Sequence, residues 1–381
     1  MSSNTVGADD PDAGPVWKLP EPVGMPPLWK LLRCPTCGDG LSLQLFDGTP
    51  AAPEEGLLRS GCGLWFPVVA GIPRIFVGEM RTVYGADFGD FLRRHGLSLE
   101  GATTVAEETR MKLATRESFG YEWTHFHEML PEWEENANFY FEPVGGPAAL
   151  KGLLCLEGGC GKGRHSYYAL RNGARLVAVD FSRAVEVARS NCKEMPGERL
   201  FVQADLMNLP FRGTNFDLAY SLGVLHHLPD PEAGFNRLVA NVKPGGRTLI
   251  YLYHALEGEP VKQAILRAVD LTRKLTTRLP HRVLLPLTTA LGYGLYAAVV
   301  LPYKALSKMS ATRAFAESLP LKSYAPYPVR VIVNDQFDRF SAPIENRYRK
   351  SEVEGWLSRA GLTAPHVLGG AGWRAVGVKS A

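Results

Sequence analysis

From Gly152 onward the chain alternates short apolar runs with helix-length segments, and this rhythm constrains the fold more than any other feature. The runs LLCLE, LVAVD, LFVQADL, FDLAYSLG and RTLIYLY are nearly continuous in apolar residues, as strands buried on both faces are. Between them, HSYYALRNG, SRAVEVARSNCKEM and PEAGFNRLVANV read as helices. A βαβα succession of this kind predicts a parallel sheet covered on both sides. The rhythm breaks near Ala255, a mostly helical segment follows, and a last helix with the runs APHVL and WRAVGVK would complete the sheet. At 381 residues, 45% hydrophobic and 21% charged, the chain buries one large core and a smaller one, which excludes disorder over its whole length.

The first strand runs into LEGGCGKG, an acid followed by Gly159, Gly161 and Gly163. Glycines at a strand-to-helix turn let backbone approach a ligand closely. A dinucleotide fingerprint would require glycine at position 164, where Arg164 stands, so the loop favours a ligand other than NAD. Asp180 ends the next strand, 23 residues after Glu157, where a carboxylate accepts hydrogen bonds from two ribose hydroxyls. Asp205 ends the third strand and is placed to accept from an exocyclic adenine amine, with Leu206 offering backbone and apolar contact to the ring. Three acids at three successive strand tips describe a site for a nucleoside with a positively charged, phosphate-free tail.

Taken in order, LEGGCGKGRHS, VAVD, QADLMNLPF, FDLAYSLGVLHHLPDP and KPGG resemble the class I S-adenosylmethionine-dependent methyltransferases over residues 150–253. The resemblance implies an α/β, Rossmann-like seven-stranded sheet of order 3-2-1-4-5-7-6, its seventh strand antiparallel and supplied by WRAVGVK. It implies that Gly159, Gly161 and Gly163 hold the methionine portion of S-adenosylmethionine, Asp180 the ribose, and Asp205 with Leu206 the adenine. Glu157 and Ser221 complete the candidate cofactor contacts. A doubly wound sheet that has lost its cofactor is the alternative, and no replaced acid in these motifs speaks for it.

Methyl transfer from a sulfonium is a direct displacement, so the protein mainly aligns the partners and excludes water. A hydroxyl nucleophile benefits from a general base with a pKa near neutrality. His226 and His227, in SLGVLHH after the fourth strand, are the first candidates; the other reading has them cap the next helix and pack under the cofactor. In the lid segment SFGYEWTHFHEML, Tyr121 and Trp123 are placed to lie against the sulfonium-bearing tail, or serve as ordinary aromatic packing.

Upstream, Cys34-Pro-Thr-Cys37 has zinc-knuckle spacing, which calls for a second pair, yet only Cys62 follows in the expected region. LLRCPTCGDGLSL with GCGLWFPVVAGIPRIF resembles the zinc-ribbon-like activators of tRNA methyltransferases. That resemblance implies a CxxCG second pair, and Arg59 stands where its first cysteine belongs. Cys34, Cys37 and Cys62 are therefore candidate zinc ligands with the fourth missing, Asp39 being one source of it. The other reading is a metal-free unit held by Leu64, Trp65, Phe66 and Ile72. Six unevenly placed cysteines suit reduced thiols and a cytoplasmic setting better than a disulfide scaffold. The organisation expected is a disordered tail over 1–25 without a signal peptide, a ribbon-like unit over 26–79 and a helical linker and lid over 80–148. A cofactor-binding core over 149–254, a helical insertion over 255–330 and a C-terminal completion over 331–381 follow.

In the insertion, 21 uncharged residues separate Arg282 from Lys304, interrupted by Pro286, Gly292, Gly294 and Pro302. The length spans a bilayer, while the breakers argue against one spanning helix. Eight basic residues between Lys262 and Lys308 face only Glu257, Glu259 and Asp270. A basic rim beside apolar helices suits peripheral contact with the inner membrane face or entry of a greasy substrate; a cap packed on the main domain or across a dimer is the other reading. The formal net charge of +3 and the lack of a (D/N)PPY-type motif weigh against a tRNA or rRNA base methyltransferase, the rival that the ribbon suggests. The expected acceptor is a small or lipid-like molecule, methylated on oxygen or carbon; a non-catalytic, cofactor-binding regulatory partner is the third reading.

Overall fold

In the computed structural model, which describes residues 20–99 and 105–380, the apolar runs form the middle of one mixed sheet. Its strands are β1 (Pro22–Val23), β2 (Ser42–Thr49), β3 (Ala52–Arg59), β4 (Trp65–Val69), β5 (Ile72–Ile75), β6 (Leu154–Gly158), β7 (Arg175–Asp180), β8 (Arg199–Ala204), β9 (Phe216–Leu222), β10 (Val242–Leu252), β11 (Leu362–Leu368) and β12 (Trp373–Lys379). They run in the order β1-β2-β3-β4-β5-β8-β7-β6-β9-β10-β12-β11. Numbered from β6, the last seven read 3-2-1-4-5-7-6, and β12 is antiparallel to both β10 and β11.

The expected count of seven strands is corrected to twelve, because the N-terminal unit does not stand apart. Its β1 to β5 form antiparallel pairs, and β5 then joins β8 in parallel, Arg74 opposite Gln203 and Ile75 opposite Ala204. An unpaired β8 would leave a row of backbone donors and acceptors open at the sheet edge, and β5 closes it. All four residues of β5 are buried, and the Arg74 guanidinium bonds Gln203 at 2.9 Å and Glu186 at 3.1 Å. The tail expected over 1–25 lies outside the described residues up to residue 19; beyond that, Pro22 and Val23 pair with Gln44 and Leu43 of β2.

Side chains alternate across the strands. Val177 and Val179 of β7 enter one core with Phe235 of α6 (Pro231–Asn241) and Trp356 of α12 (Lys350–Arg359). Leu176 and Ala178 enter the other, against Phe141 of α3 (Trp133–Phe141), Leu170 of α4 (Arg164–Arg171) and Val185 of α5 (Ala184–Asn191). A third cluster gathers Phe76, Met80 and the apolar face of α1 (Thr82–Arg94). Over the carboxyl ends of the parallel strands lies the lid helix α2 (Glu107–His125).

The insertion is helical: α7 (Pro260–Thr276), α8 (His281–Leu295), a π-helical turn (Tyr296–Val300), α9 (Leu301–Leu306) and α10 (Arg313–Ser318), returning to the domain through α11 (Val329–Ser341). α8 packs on α11 where Gly292 meets Val333, and a Cβ at Gly292 would stand 2.9 Å from the Val333 Cα. Arg273 anchors α7, its Nε donating to the Arg339 carbonyl and its Nη2 lying 2.9 Å from Glu345.

Candidate active site

Side chains from the strand tips, α2 and α11 enclose a cavity of about 600 Å³. It opens beyond the carboxyl ends of β6 to β9, the place where open α/β sheets bind ligands. The glycine loop forms its floor. Gly159 and Gly161 hold positive φ, at 81° and 51°. A Cβ on Gly159 would meet Val224 at 2.4 Å, and one on Gly161 would stand 3.2 Å from the Trp123 indole nitrogen. Bare backbone therefore faces the cavity at a place where a side chain would fill it.

Asp180 and Asp205 line the same cavity. One Asp180 oxygen accepts the Gly161 N–H at 2.7 Å; the other accepts the Ser182 N–H at 2.8 Å and its hydroxyl at 2.7 Å. Asp205 Oδ1 accepts the Met207 N–H, while Oδ2 faces Lys112 of the lid at 3.6 Å. Leu206 also lines the wall. Lys162 ties loop to lid: its ammonium donates to the Phe126 and Glu128 carbonyls at 2.8 and 3.1 Å and lies over the Trp123 and Trp133 rings. Burial pulls its pKa down to about 8.

Three expected cofactor contacts are placed elsewhere. Glu157 points behind the loop, fully buried, accepting from the Ser166 hydroxyl and from Tyr220 at 3.2 Å. Gly163 turns toward α5, where a Cβ would clash with the Ala188 backbone at 2.9 Å. The Ser221 hydroxyl donates to the Gly158 carbonyl at 2.7 Å and braces β9 against β6. Glu157 and Ser221 brace the loop from beneath because the strand pleat turns them into the core, whereas Gly163 lies past the strand at the start of α4.

Glu157 therefore carries its own test. Burial raises its carboxyl pKa to about 8, above the ordinary 4.5, so the folded state holds a proton that the unfolded state has lost. Its stabilising contribution is full below pH 4.5 and fades as pH rises through 8. Glu157→Gln is expected to leave S-adenosylmethionine affinity within about threefold and to gain stability over wild type above pH 8. Calorimetric affinity and thermal melts at pH 6 and pH 9 read both; a loss beyond tenfold would put Glu157 back in the binding site.

The two histidines separate. His227 lines the cavity, its ring edge-on to Phe119 at 4.9 Å. Its Nδ1 lies 2.6 Å from the Ile344 carbonyl, which can only accept, so Nδ1 carries the proton and Nε2 keeps a lone pair. Burial holds its pKa below the ordinary 6.5. His226 does not reach the cavity wall: it is fully buried, its ring lies tilted against Tyr253 with centroids 3.9 Å apart, and its pKa is driven well below 6.5 by burial. The expected catalytic role for His226 is corrected to core packing. Trp123 lines the cavity, whereas Tyr121 packs against Phe337 and His281 in the cap.

The cavity wall also carries polar side chains from α11. Asn334, Asp335 and Asp338 of α11 line the cavity together with Arg347. Asp335 accepts from the Tyr324 hydroxyl at 2.6 Å, and Asn334 donates to the fully buried Glu122 at 3.0 Å. Burial raises Glu122 well above 4.5 and pushes Asp338 up to about 7. Ser118 and Glu122 stand four apart on one face of α2 and are its two buried residues. A polar pair at helical spacing ordinarily faces water, so only the packing reveals its inward turn.

In the N-terminal unit the Cys34, Cys37 and Cys62 sulfurs all lie within 4.8 Å of one another. The Ser60 hydroxyl sits between two of them, 3.1 Å from Cys37 and 3.3 Å from Cys62. Arg59 belongs to β3, opposite Ser42 and Trp65, and offers no ligand where the second pair would begin.

Residues 156–250, which span β6 to β10 of the sheet, match the family described as methyltransferase domain. Over 99 residues the chain is 30% identical to a ubiquinone biosynthesis O-methyltransferase of Coxiella burnetii, covering 26% of this chain and 42% of that protein. Over 113 residues it is 33% identical to the tRNA (carboxymethyluridine(34)-5-O)-methyltransferase alkbh8 of Xenopus tropicalis, covering 29% of this chain and 17% of that one. The chain thus spans less than half the length of these curated relatives. Among solved structures, magnesium protoporphyrin IX methyltransferase from Synechocystis PCC 6803 is similar at 15% identity and a TM-score of 0.37, over 79% of this chain and 98% of that one.

Proposed function

We propose that the protein is an S-adenosylmethionine-dependent methyltransferase acting on a hydroxyl of a small-molecule or lipid-like acceptor. One observation carries the reading: the strand-tip acids Asp180 and Asp205, the bare backbone of Gly159 and Gly161, and the free Nε2 side of His227 share a single cavity. The donor set fits the cofactor, with Asp180 for the ribose hydroxyls, Asp205 Oδ2 for the adenine amine and glycine backbone for the methionine portion. When bound, S-adenosylmethionine supplies a methyl group activated by a sulfonium.

The chain's own residues supply alignment, a proton acceptor and a dry site. Lys162 fastens the lid to the loop, and the lid in turn presents Phe119 and Trp123 to the cavity and keeps water out. His227 Nε2 takes the acceptor's hydroxyl proton, and Glu345 beside it, paired with Arg273 and Arg347, steadies the imidazolium that results. Tyr140, Tyr251, Tyr253 and Tyr327 offer aromatic faces to a flat or ring-bearing acceptor. The ubiquinone-pathway relative supports an oxygen acceptor of this type. The tRNA relative keeps the nucleic-acid rival in view, and the near-neutral overall charge weighs against it.

Calorimetric titration tests the cofactor first: S-adenosylmethionine and its demethylated product are expected to bind in the micromolar range and NADH not at all. Silence from both, in a folded sample, refutes the reading.

For the cysteine cluster the proposal is one zinc ion, which the Cys34, Cys37 and Cys62 thiolates would hold, with water or the Asp39 carboxylate as the fourth ligand. Metal analysis of the purified protein is expected to give close to one zinc per chain, and a chelator to lower the melting temperature. A zinc content near zero in a folded sample shows instead that apolar contacts alone hold this unit.

A further inference from the structure

Among the described residues, eleven of the twelve large apolar side chains that remain exposed lie between Val261 and Phe315. They form stripes. On α7, Val261, Ile265 and Leu275 are 72%, 56% and 67% exposed; on α8, Val283, Leu287 and Leu291 recur every fourth residue. The inward face of α8 carries Leu284, Thr288 and Gly292, seated on α11. The helix is therefore apolar on both faces: Leu284 packs inward with Thr288 and Gly292, and a second apolar stripe is left facing outward, which a helix packed on a core in water does not need. Exposed apolar stripes on adjacent helices mark an interaction surface.

Charge identifies the partner. The exposed cations Lys262, Arg267, Lys274, Arg278, Arg282 and Lys308 belong to the same segment, against exposed Glu257, Asp270 and Glu317. Two copies joined through this face by a twofold axis would bring their own basic rims together, a repulsive arrangement. An anionic bilayer satisfies both the apolar stripes and the basic flanks. The continuous helix His281–Leu306 is long and apolar enough to cross a membrane, but one side of it is committed to α11 through Leu284, Thr288 and Gly292. It is built to lie in the interface plane rather than to span.

We infer that α7 to α10 form an in-plane platform that docks the protein on an anionic membrane surface. The chain leaving the platform runs directly into the cavity wall, where Ser323, Tyr324 and Tyr327 stand just after α10. Docking thereby sets the cavity beside the bilayer, where an amphiphile can offer its polar head to the site. The inference concerns the surface and holds independently of the methylation reading.

Flotation of the full chain with phosphatidylcholine vesicles, with and without phosphatidylglycerol, tests it. Binding is expected to the anionic vesicles only and to weaken at about 1 M salt. The double variant Leu287→Asp, Leu291→Asp is expected to lose about a hundredfold or more in vesicle affinity, the scale of two lost leucine burials, with S-adenosylmethionine affinity unchanged. Both side chains are exposed, so the fold tolerates the change. Absence of binding to anionic vesicles overturns the inference, as does equal binding by the variant. A dimer of the wild type that the same substitutions dissociate also overturns it, by showing that a second copy covers the face.

Discussion

Asp180→Ala is expected to weaken S-adenosylmethionine binding by at least a hundredfold while the protein remains folded. The carboxylate stands at the tip of β7 and already orders the loop, through the Gly161 N–H on one oxygen and Ser182 on the other. Its remaining acceptor capacity faces the cavity, where a ribose offers two hydroxyls. Charge-assisted hydrogen bonds contribute about 1.5–3 kcal/mol each, so losing two costs about 3–6 kcal/mol, or about 10²- to 10⁴-fold in affinity. Asp180→Asn separates the two duties: the amide oxygen still accepts the Gly161 N–H, and the loss is expected to be smaller. Calorimetry gives the affinities and circular dichroism the fold. An unchanged affinity in the alanine variant would remove Asp180 from the site and, with it, the ribose placement.

The second large effect is on rate. His227→Ala is expected to lower kcat by about 10²- to 10⁴-fold on a hydroxyl acceptor, the range for a positioned general base, with cofactor affinity little changed. Because burial sets the His227 pKa below 6.5, the neutral base persists to mildly acidic pH, and the rate should fall only below pH 6.5. Glu345 works against that lowering, while Arg273 and Arg347 reinforce it. Asp338, pushed up to about 7, titrates nearby, so the comparison that isolates His227 is the profile of wild type against His227→Gln. The acid limb should disappear in the variant. His226→Ala is the control, expected to lower stability with the pH profile kept. A normal rate in His227→Ala would point to an acceptor carbon already nucleophilic enough to need no base.

The central strands were legible because residues buried on both faces leave an unbroken apolar signature, as in LVAVD and FDLAYSLG. The crevice was legible for a related reason. A positive φ at Gly159 and Gly161 restricts the residue type, and a carboxylate at a strand tip has few structural uses. Glu157 shows the limit of that logic: it also ends a strand, yet the pleat turns it under the loop to Ser166 and Tyr220. His226 and His227 are neighbours in sequence, and one peptide unit of rotation puts the first in the core and the second on the cavity.

What the sequence alone determined is therefore local: strand periodicity, the glycine turn, the acids at the strand tips and the apolar run of the insertion. The tertiary structure decided everything that depends on which surfaces meet. β5 is a four-residue strand with nothing in it to name β8 as its partner, so the extension of the sheet to twelve strands was invisible until the open edge was seen. Glu122 and Asp338 are some 200 residues apart in the chain and share a dry environment only because α11 folds back beside α2. The outward apolar stripe of α8 is likewise a tertiary fact: periodicity shows that a helix has two faces, and only contact with α11 shows which one is left over.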